Sequence, residues 1–235
     1  MNDPTHKPSL ARSVISADWP LVATPGIIWG ASFLFIAEGL KATGPSGVTF
    51  IRLFVGAATL ALFPAARKPV ERTAWRAIAL VGVLWFAFPL SMFPFAEQRV
   101  SSALTGMLNA AVPLFTAIVA TFFARRIPER RVLVGLAIGL IGAGLIAWPT
   151  IHEGHSSVIG VLLILAAVVS YGFALNLARP LQQQYGALPV VLRAQAVAVM
   201  LTAPSACATS SQRTTFSSRT TYTPRTGHPP PSFRS

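Results

Sequence analysis

Six residues inside one apolar stretch are placed to do polar chemistry together. Ser101, Thr105, Asn109, Pro113, Thr116 and Ala120 recur every three or four positions, a spacing that puts them on one face of a helix. A proline within a helix lacks an N–H and displaces the carbonyl four residues back, here that of Asn109. In hydrocarbon a bare carbonyl is costly, so such a proline is tolerated where water or a neighbouring helix supplies a donor. The chemistry on offer is hydrogen bonding to a polar solute, with Thr105, Asn109 and Thr116 lining a wet path that Pro113 shapes. The alternative is close packing of this face on a partner helix, with Asn109 bonded across the contact for about 0.6 kcal/mol.

Other candidates are few. Arg52 and Arg193 each stand early in an apolar run; each reads as snorkelling to headgroups, and their matched placement also fits an anion site or a gate. Of the seven acids, only Glu38 and Glu97 touch an apolar run, both near its end. Glu38 is the candidate for a coupling-proton site, although Lys41 three residues on makes an interfacial pair the simpler reading. Trp29 and Trp85 lie deeper than Trp19, Trp75 and Trp148, which sit where interface anchors sit; either deep one fits a cavity wall or the core. Asn176 is a further polar candidate in a later run. "HEGH" at 152–155 lacks the i, i+4 histidine pair of a zinc protease and reads as a polar turn. Cys207 is alone, so neither a disulfide framework nor a thiol metal site is expected. With no catalytic cluster and no phosphate loop, the expectation is no metal, no cofactor and no enzyme.

The elements that must hold these residues are apolar. The sequence is 53% hydrophobic and 11% charged, and the hydrophobic residues gather at about 20–40, 48–66, 75–95, 102–124, 132–149, 158–178 and 187–205. Runs of roughly 18–23 residues at ~1.5 Å per residue suit a ~30 Å hydrocarbon layer. They lack the polar faces of soluble bundle helices, and helices alone satisfy their own backbone in lipid. The expected fold is all-α, a polytopic helical membrane bundle of about seven transmembrane helices, with the lipid bilayer as its partner. Short connections make consecutive helices antiparallel neighbours.

Net charge is +12, and its placement excludes a nucleic-acid reading. With the N-terminus inside, twelve Lys or Arg fall in the N-terminus and the 66–76, 125–131 and 179–193 connections. The four arginines of the 206–235 tail would lie on the other side, against the charge rule; excluding the tail, only Lys41, Arg52 and Arg99 fall there. That is the positive-inside pattern, so residues 1–19 are expected to be a polar cytoplasmic N-terminus and the protein a resident of the cell (inner) membrane. Residues 1–18 do not resemble a cleaved signal.

Two further patterns organise the chain. Gly135 and Gly139, followed by Gly142 and Gly144, suit close helix packing; association of two copies through this face is the alternative. An echo at a period of about 141 residues lays 29–53 over 171–194, so that Gly30 meets Gly172 and Arg52 meets Arg193. Five helices between the copies would insert the second upside down, an inverted repeat. After about residue 205 the composition changes: 206–235 is rich in Ser, Thr, Arg and Pro and is expected to be disordered. The incomplete second copy and this tail together read as a shifted frame, with a genuine external tail as the alternative.

By these residues the chain resembles the EamA-type transporters of the drug/metabolite transporter superfamily. "AEQRVSSALTGMLNAAVPLFTAIVATFFARRIPERRVLVGLAIGLIGAGLIAWP" (96–149) is similar to the fourth and fifth helices of an EamA repeat, "IIWGASFLF" (27–35) to the first and "FIRLFVGAATLAL" (50–62), with Arg52, to the second. The resemblance implies a complete five-helix repeat over 20–149, an outer loop at 150–157 and a partial second repeat of two helices over 158–205. It implies alternating-access export or exchange of a small metabolite or drug-like solute, without nucleotide hydrolysis. Thr105, Asn109 and Thr116 would then line the path, with Trp29 and Arg52 contributing near its outer half. Where the family carries Gly-Glu at the end of its fourth helix, this chain has Arg125 and Arg126, with Glu129 displaced. Rival expectations are a non-transporting remnant and an intramembrane enzyme.

Overall fold

The computed structural model describes residues 19–124, 130–152 and 157–219. The expectations for Arg125, Arg126, Glu129 and the Glu153–His155 stretch lie outside the described residues. All regular structure among the described residues is helical: α1 (Trp19–Ala42), α2 (Pro45–Ala61), α3 (Trp75–Val81), α4 (Phe88–Glu97), α5 (Ser102–Asn109), α6 (Val112–Ala124), α7 (Arg130–His152), α8 (Val158–Tyr185) and α9 (Ala187–Arg219). A π-helical turn, Gly82–Ala87, joins α3 to α4. Each of the seven apolar runs coincides with a helical stretch. Five stretches are long and apolar enough to cross a membrane: Ala23–Ala42, Arg72–Glu97, Ser102–Phe123, Val158–Tyr185 and Ala187–Cys207. The chain therefore forms the all-α polytopic membrane bundle that its composition implies.

The core sits around α8. Val161, Ile164, Ala167, Val168, Tyr171, Ala174 and Ala178 recur at helical spacing and are all buried, because α8 is wedged between α4 and α6. A Cβ added at Gly172 would stand 2.9 Å from the Phe115 carbonyl oxygen, so the α6 backbone lies directly on α8. Likewise α9 packs on α2 and on the π turn, where a Cβ at Gly82 would come within 2.5 Å of the Ala194 carbonyl oxygen. Among the described residues, a Cβ at Gly135 would meet nothing within 4 Å, and one at Gly139 a Leu114 methyl at 3.9 Å. Leu34, Phe35, Phe122, Ile138 and Leu162 remain exposed and suit contact with lipid tails.

Hydrogen bonds tie the connections at each end of the bundle. At one end the Ser157 N–H donates to the Arg99 carbonyl at 3.1 Å. At the other, the Arg193 guanidinium donates to the carbonyls of Lys68 (2.8 Å), Pro189 (3.1 Å) and Ala66 (3.5 Å) and lies 6.0 Å from the Trp75 ring centre. Arg193 thus clamps the α2–α3 connection to α9.

Two prolines of the third span, Pro89 and Pro94, are accommodated by borrowed hydroxyls. The Phe88 N–H donates five residues back, to Val83. In that register the next acceptor is the Leu84 carbonyl, and Pro89 has no N–H to give it. The Ser170 hydroxyl of α8 fills the gap, donating to Leu84 at 2.7 Å. Pro94 similarly frees the Leu90 carbonyl, which lies 3.1 Å from the Thr49 hydroxyl of α2.

Pro113 is resolved differently from its expected place within one continuous helix. The 102–124 stretch breaks at Ala110–Ala111, and Pro113 becomes the second residue of α6. In a first turn the missing N–H was never going to be bonded, so the ring is tolerated there. The helix α9 continues to Arg219, beyond the apolar stretch that ends at Cys207. Once a helix is anchored by packing, propagation adds one hydrogen bond for each residue fixed.

Between α8 and α9 there is one residue, Gly186, with φ 87° and ψ 154°, a conformation that side chains make costly. Gly186→Ala is expected to lower the unfolding free energy by about 1–3 kcal/mol, read by reversible unfolding in mixed micelles. Ser170→Ala is expected to cost about 1 kcal/mol by baring the Leu84 carbonyl. In a Pro89→Ala background, where a backbone N–H returns, that cost should shrink; an undiminished cost would show that Ser170 acts otherwise.

Candidate functional site

A cavity of about 570 Å³ opens where α1, α2, the third span, α8 and α9 converge, within the usual range for small-molecule sites. Nearly half of its lining residues are aromatic: Trp29 and Phe33 from α1, Trp85 and Phe86 from the π turn, Phe93 from α4 and Tyr171 from α8. The rings brace one another. Trp29 meets Tyr171 edge-on at 6.1 Å, Phe33 meets Phe93 edge-on at 5.4 Å, and Phe93 lies 6.0 Å from Tyr171. Edge-on pairs of this kind add about 0.5–1.5 kcal/mol beyond their buried area, so the wall is preformed. The wider π register explains how the adjacent Trp85 and Phe86 both border the cavity, stacked 5.2 Å apart.

Besides the Tyr171 phenol and the Trp29 and Trp85 indoles, the polar residues on the wall are Thr24, Ser32 and Arg52. Because α2 begins at Pro45, Arg52 lies about 10 Å along the helix from its start, deeper than the first-turn position expected from sequence. Its Nη1 atom is cut off from solvent and has no hydrogen-bond partner. A second recess of about 380 Å³ lies between α1 and α2, and Ser32 and Arg52 border it too. Arg52 therefore stands on a wall shared by both spaces. Glu97, one turn beyond Phe93 on α4, has both carboxylate oxygens buried without a partner.

The residues singled out in sequence divide into two groups. Trp29 and Arg52 border the cavity; Thr105, Asn109, Pro113 and Thr116 do not. Thr105 is fully buried and its hydroxyl donates back to Ser101 at 3.1 Å; that of Thr116 donates back to Val112 at 2.8 Å. Asn109 is buried with its Oδ1 unpartnered, whereas Pro113 is exposed. The break at Ala110–Ala111 separates the expected stripe into two helices. Asn176 donates from Nδ2 to the carbonyls of Thr116 (3.0 Å) and Gly172 (2.8 Å), which fastens α8 to α6. Glu38 pairs with Lys41 at 2.7 Å on an exposed surface. Sequence reasoning did not single out Tyr171, Phe93, Ser170 or Thr49. The readable signal was "FPLSMFPF" (88–95), two prolines five residues apart in one span, which demands outside donors.

Residues 20–148, more than half of the chain, match the family described as EamA-like transporter family. Among curated relatives, an uncharacterised transporter of Bacillus subtilis, YdfC, is 29% identical over 70% of this chain and 54% of its own length. A probable terminal-alkyne amino-acid exporter of Streptantibioticus cattleyicolor is 28% identical over 74% of this chain and 58% of its own. An uncharacterised transporter of Archaeoglobus fulgidus is 18% identical over 76% of this chain and 63% of its own. The chain thus spans less than two thirds of each of these relatives. No solved structure matches it. A family match over more than half of the chain leaves one conclusion: the chain belongs to the EamA-like transporter family, a multi-pass membrane protein of the drug/metabolite transporter superfamily.

Proposed function

We propose that this protein moves a small metabolite or drug-like solute across the inner membrane by alternating access, as an exporter or exchanger that hydrolyses no nucleotide and catalyses no covalent step. The single observation that carries the reading is the braced aromatic cavity with one arginine on its wall. Its size and chemistry suit a small molecule with an apolar or aromatic body. The N-terminus is cytoplasmic in this proposal, following the distribution of arginines. α8 and α9 begin a second, inverted copy of the α1–α2 pair: Arg52 and Arg193 each stand about two turns into their helices, from opposite ends of the bundle. The two rival proposals keep a test in common, since a non-transporting remnant would move nothing. A pairing of two copies through α7 stays a proposal of lower rank.

A second reading keeps the solute path on α5 and α6, because Asn109 presents a buried oxygen with no partner. Vesicles carrying the full chain separate the readings. With a panel of labelled amino acids, aromatic acids and ethidium, Trp29→Ala is expected to reduce uptake or efflux at least tenfold while membrane insertion is unchanged. Asn109→Leu, by contrast, abolishes transport if the path follows α5 and α6. Full activity in Trp29→Ala would remove the aromatic cavity from the path, and no transport by the wild-type chain would favour the remnant.

A further inference from the structure

Two spaces share one pair of side chains. Along α1 the aromatic cavity is bordered from Thr24 to Phe33, and the second recess from Ser32 to Ala42. Val191, in the second turn of α9, lies at the cavity end; Val48, in the first turn of α2, lies at the recess end. Among the described residues, Ser32 and Arg52 alone line both spaces. The rise from Thr24 to Ala42 is about 27 Å at ~1.5 Å per residue, close to the ~30 Å of a hydrocarbon layer. The two spaces therefore stand end to end along α1 and together cover most of such a layer, with Ser32 and Arg52 between them.

We infer that Arg52, together with Ser32, is the gate of a solute path that follows α1, from the aromatic cavity at one end to the second recess at the other. The inference rests on the cavity being the solute site and adds its exit. Ser32 contributes little bulk, and its hydroxyl turns back to the Trp29 carbonyl at 2.7 Å. The barrier is the long arginine side chain, whose Nη1 is sealed from solvent and so lies packed in the wall, in neither space. Nothing holds that atom: it has no hydrogen-bond partner, and the ion pair among the described residues is Lys41 with Glu38. An arginine within a span is costly and calls for a function. Here the stem swings aside without breaking a bond at Nη1, and α1, the least buried of the five spans, is the wall that yields.

The test uses the full chain with C207S, which removes its one cysteine, and a new cysteine in one space at a time, V191C or V48C. Right-side-out and everted membrane vesicles are labelled with the membrane-impermeant reagent 2-sulfonatoethyl methanethiosulfonate. With Arg52 present, V191C should label from one face only and V48C from the opposite face only. R52A should let each label from both faces, at least tenfold faster on the face that was silent, and R52M should do so by less. Monodispersity on gel filtration is the folding control; should R52A fail it, sidedness with Arg52 present and the R52M result still decide. Labelling of both cysteines from one face with Arg52 present, or sidedness unchanged in R52A and R52M, overturns the gate, and the Trp29→Ala transport result then decides the cavity by itself. If neither cysteine labels from either face, both spaces hold lipid, and the cavity falls with the gate.

Discussion

In hydrocarbon, a backbone carbonyl without a donor has nowhere to turn, and that constraint organises this bundle. The third span contains Pro89 and Pro94, each of which withdraws an N–H from the ladder. The chain answers with a π turn and with hydroxyls from two other helices, Ser170 on α8 and Thr49 on α2. Those two bonds fix how α8 and α2 stand against the span. They also place the π turn, and with it Trp85 and Phe86, on the cavity wall. The polar repair and the apolar pocket are therefore one construction: the loosened helix supplies both the unsatisfied carbonyl that must be capped and the altered register that aims two adjacent rings the same way.

Arg52 and Arg193 show how one residue type at matched places can do opposite things. Arg193 gives its donors to three carbonyls and fastens the α2–α3 connection to α9. Arg52 lacks such a cradle on Nη1 and borders two open spaces. What distinguishes them is the neighbourhood. Two of the carbonyls that Arg193 reaches, those of Lys68 and Ala66, belong to the α2–α3 connection, and the third, of Pro189, to α9 itself. Around Arg52 the wall is built from helices, and its Nη1 meets no acceptor there.

The path proposed on α5 and α6 illustrates the limits of periodicity. Three- and four-residue spacing from Ser101 to Ala120 reads as one stripe only if one helix runs through it. The break at Ala110–Ala111 separates Thr105 and Asn109 from Pro113 and Thr116, and leaves the first pair buried and Pro113 exposed. Both threonine hydroxyls return to their own helix, as threonine in an apolar helix readily does. Trp29 and Arg52, by contrast, were identifiable because a tryptophan deep in an apolar run and an arginine within one invite explanation wherever the helices meet.

Sequence alone determined the all-α membrane class, the seven apolar runs, and the family, because hydrophobic length and backbone satisfaction in lipid are properties of each segment by itself. It also marked Arg52 and Trp29, whose chemistry is conspicuous in any apolar run. Tertiary structure decided the rest: which helix ends share a side, that Pro113 opens a helix while Pro89 and Pro94 borrow hydroxyls, and that Tyr171 and Phe93 complete the aromatic wall. Those outcomes depend on which neighbour stands within hydrogen-bonding or ring-contact distance, and that neighbour is 41 residues away for Thr49 and Leu90 and 86 for Ser170 and Leu84. Local spacing carries no record of such pairings.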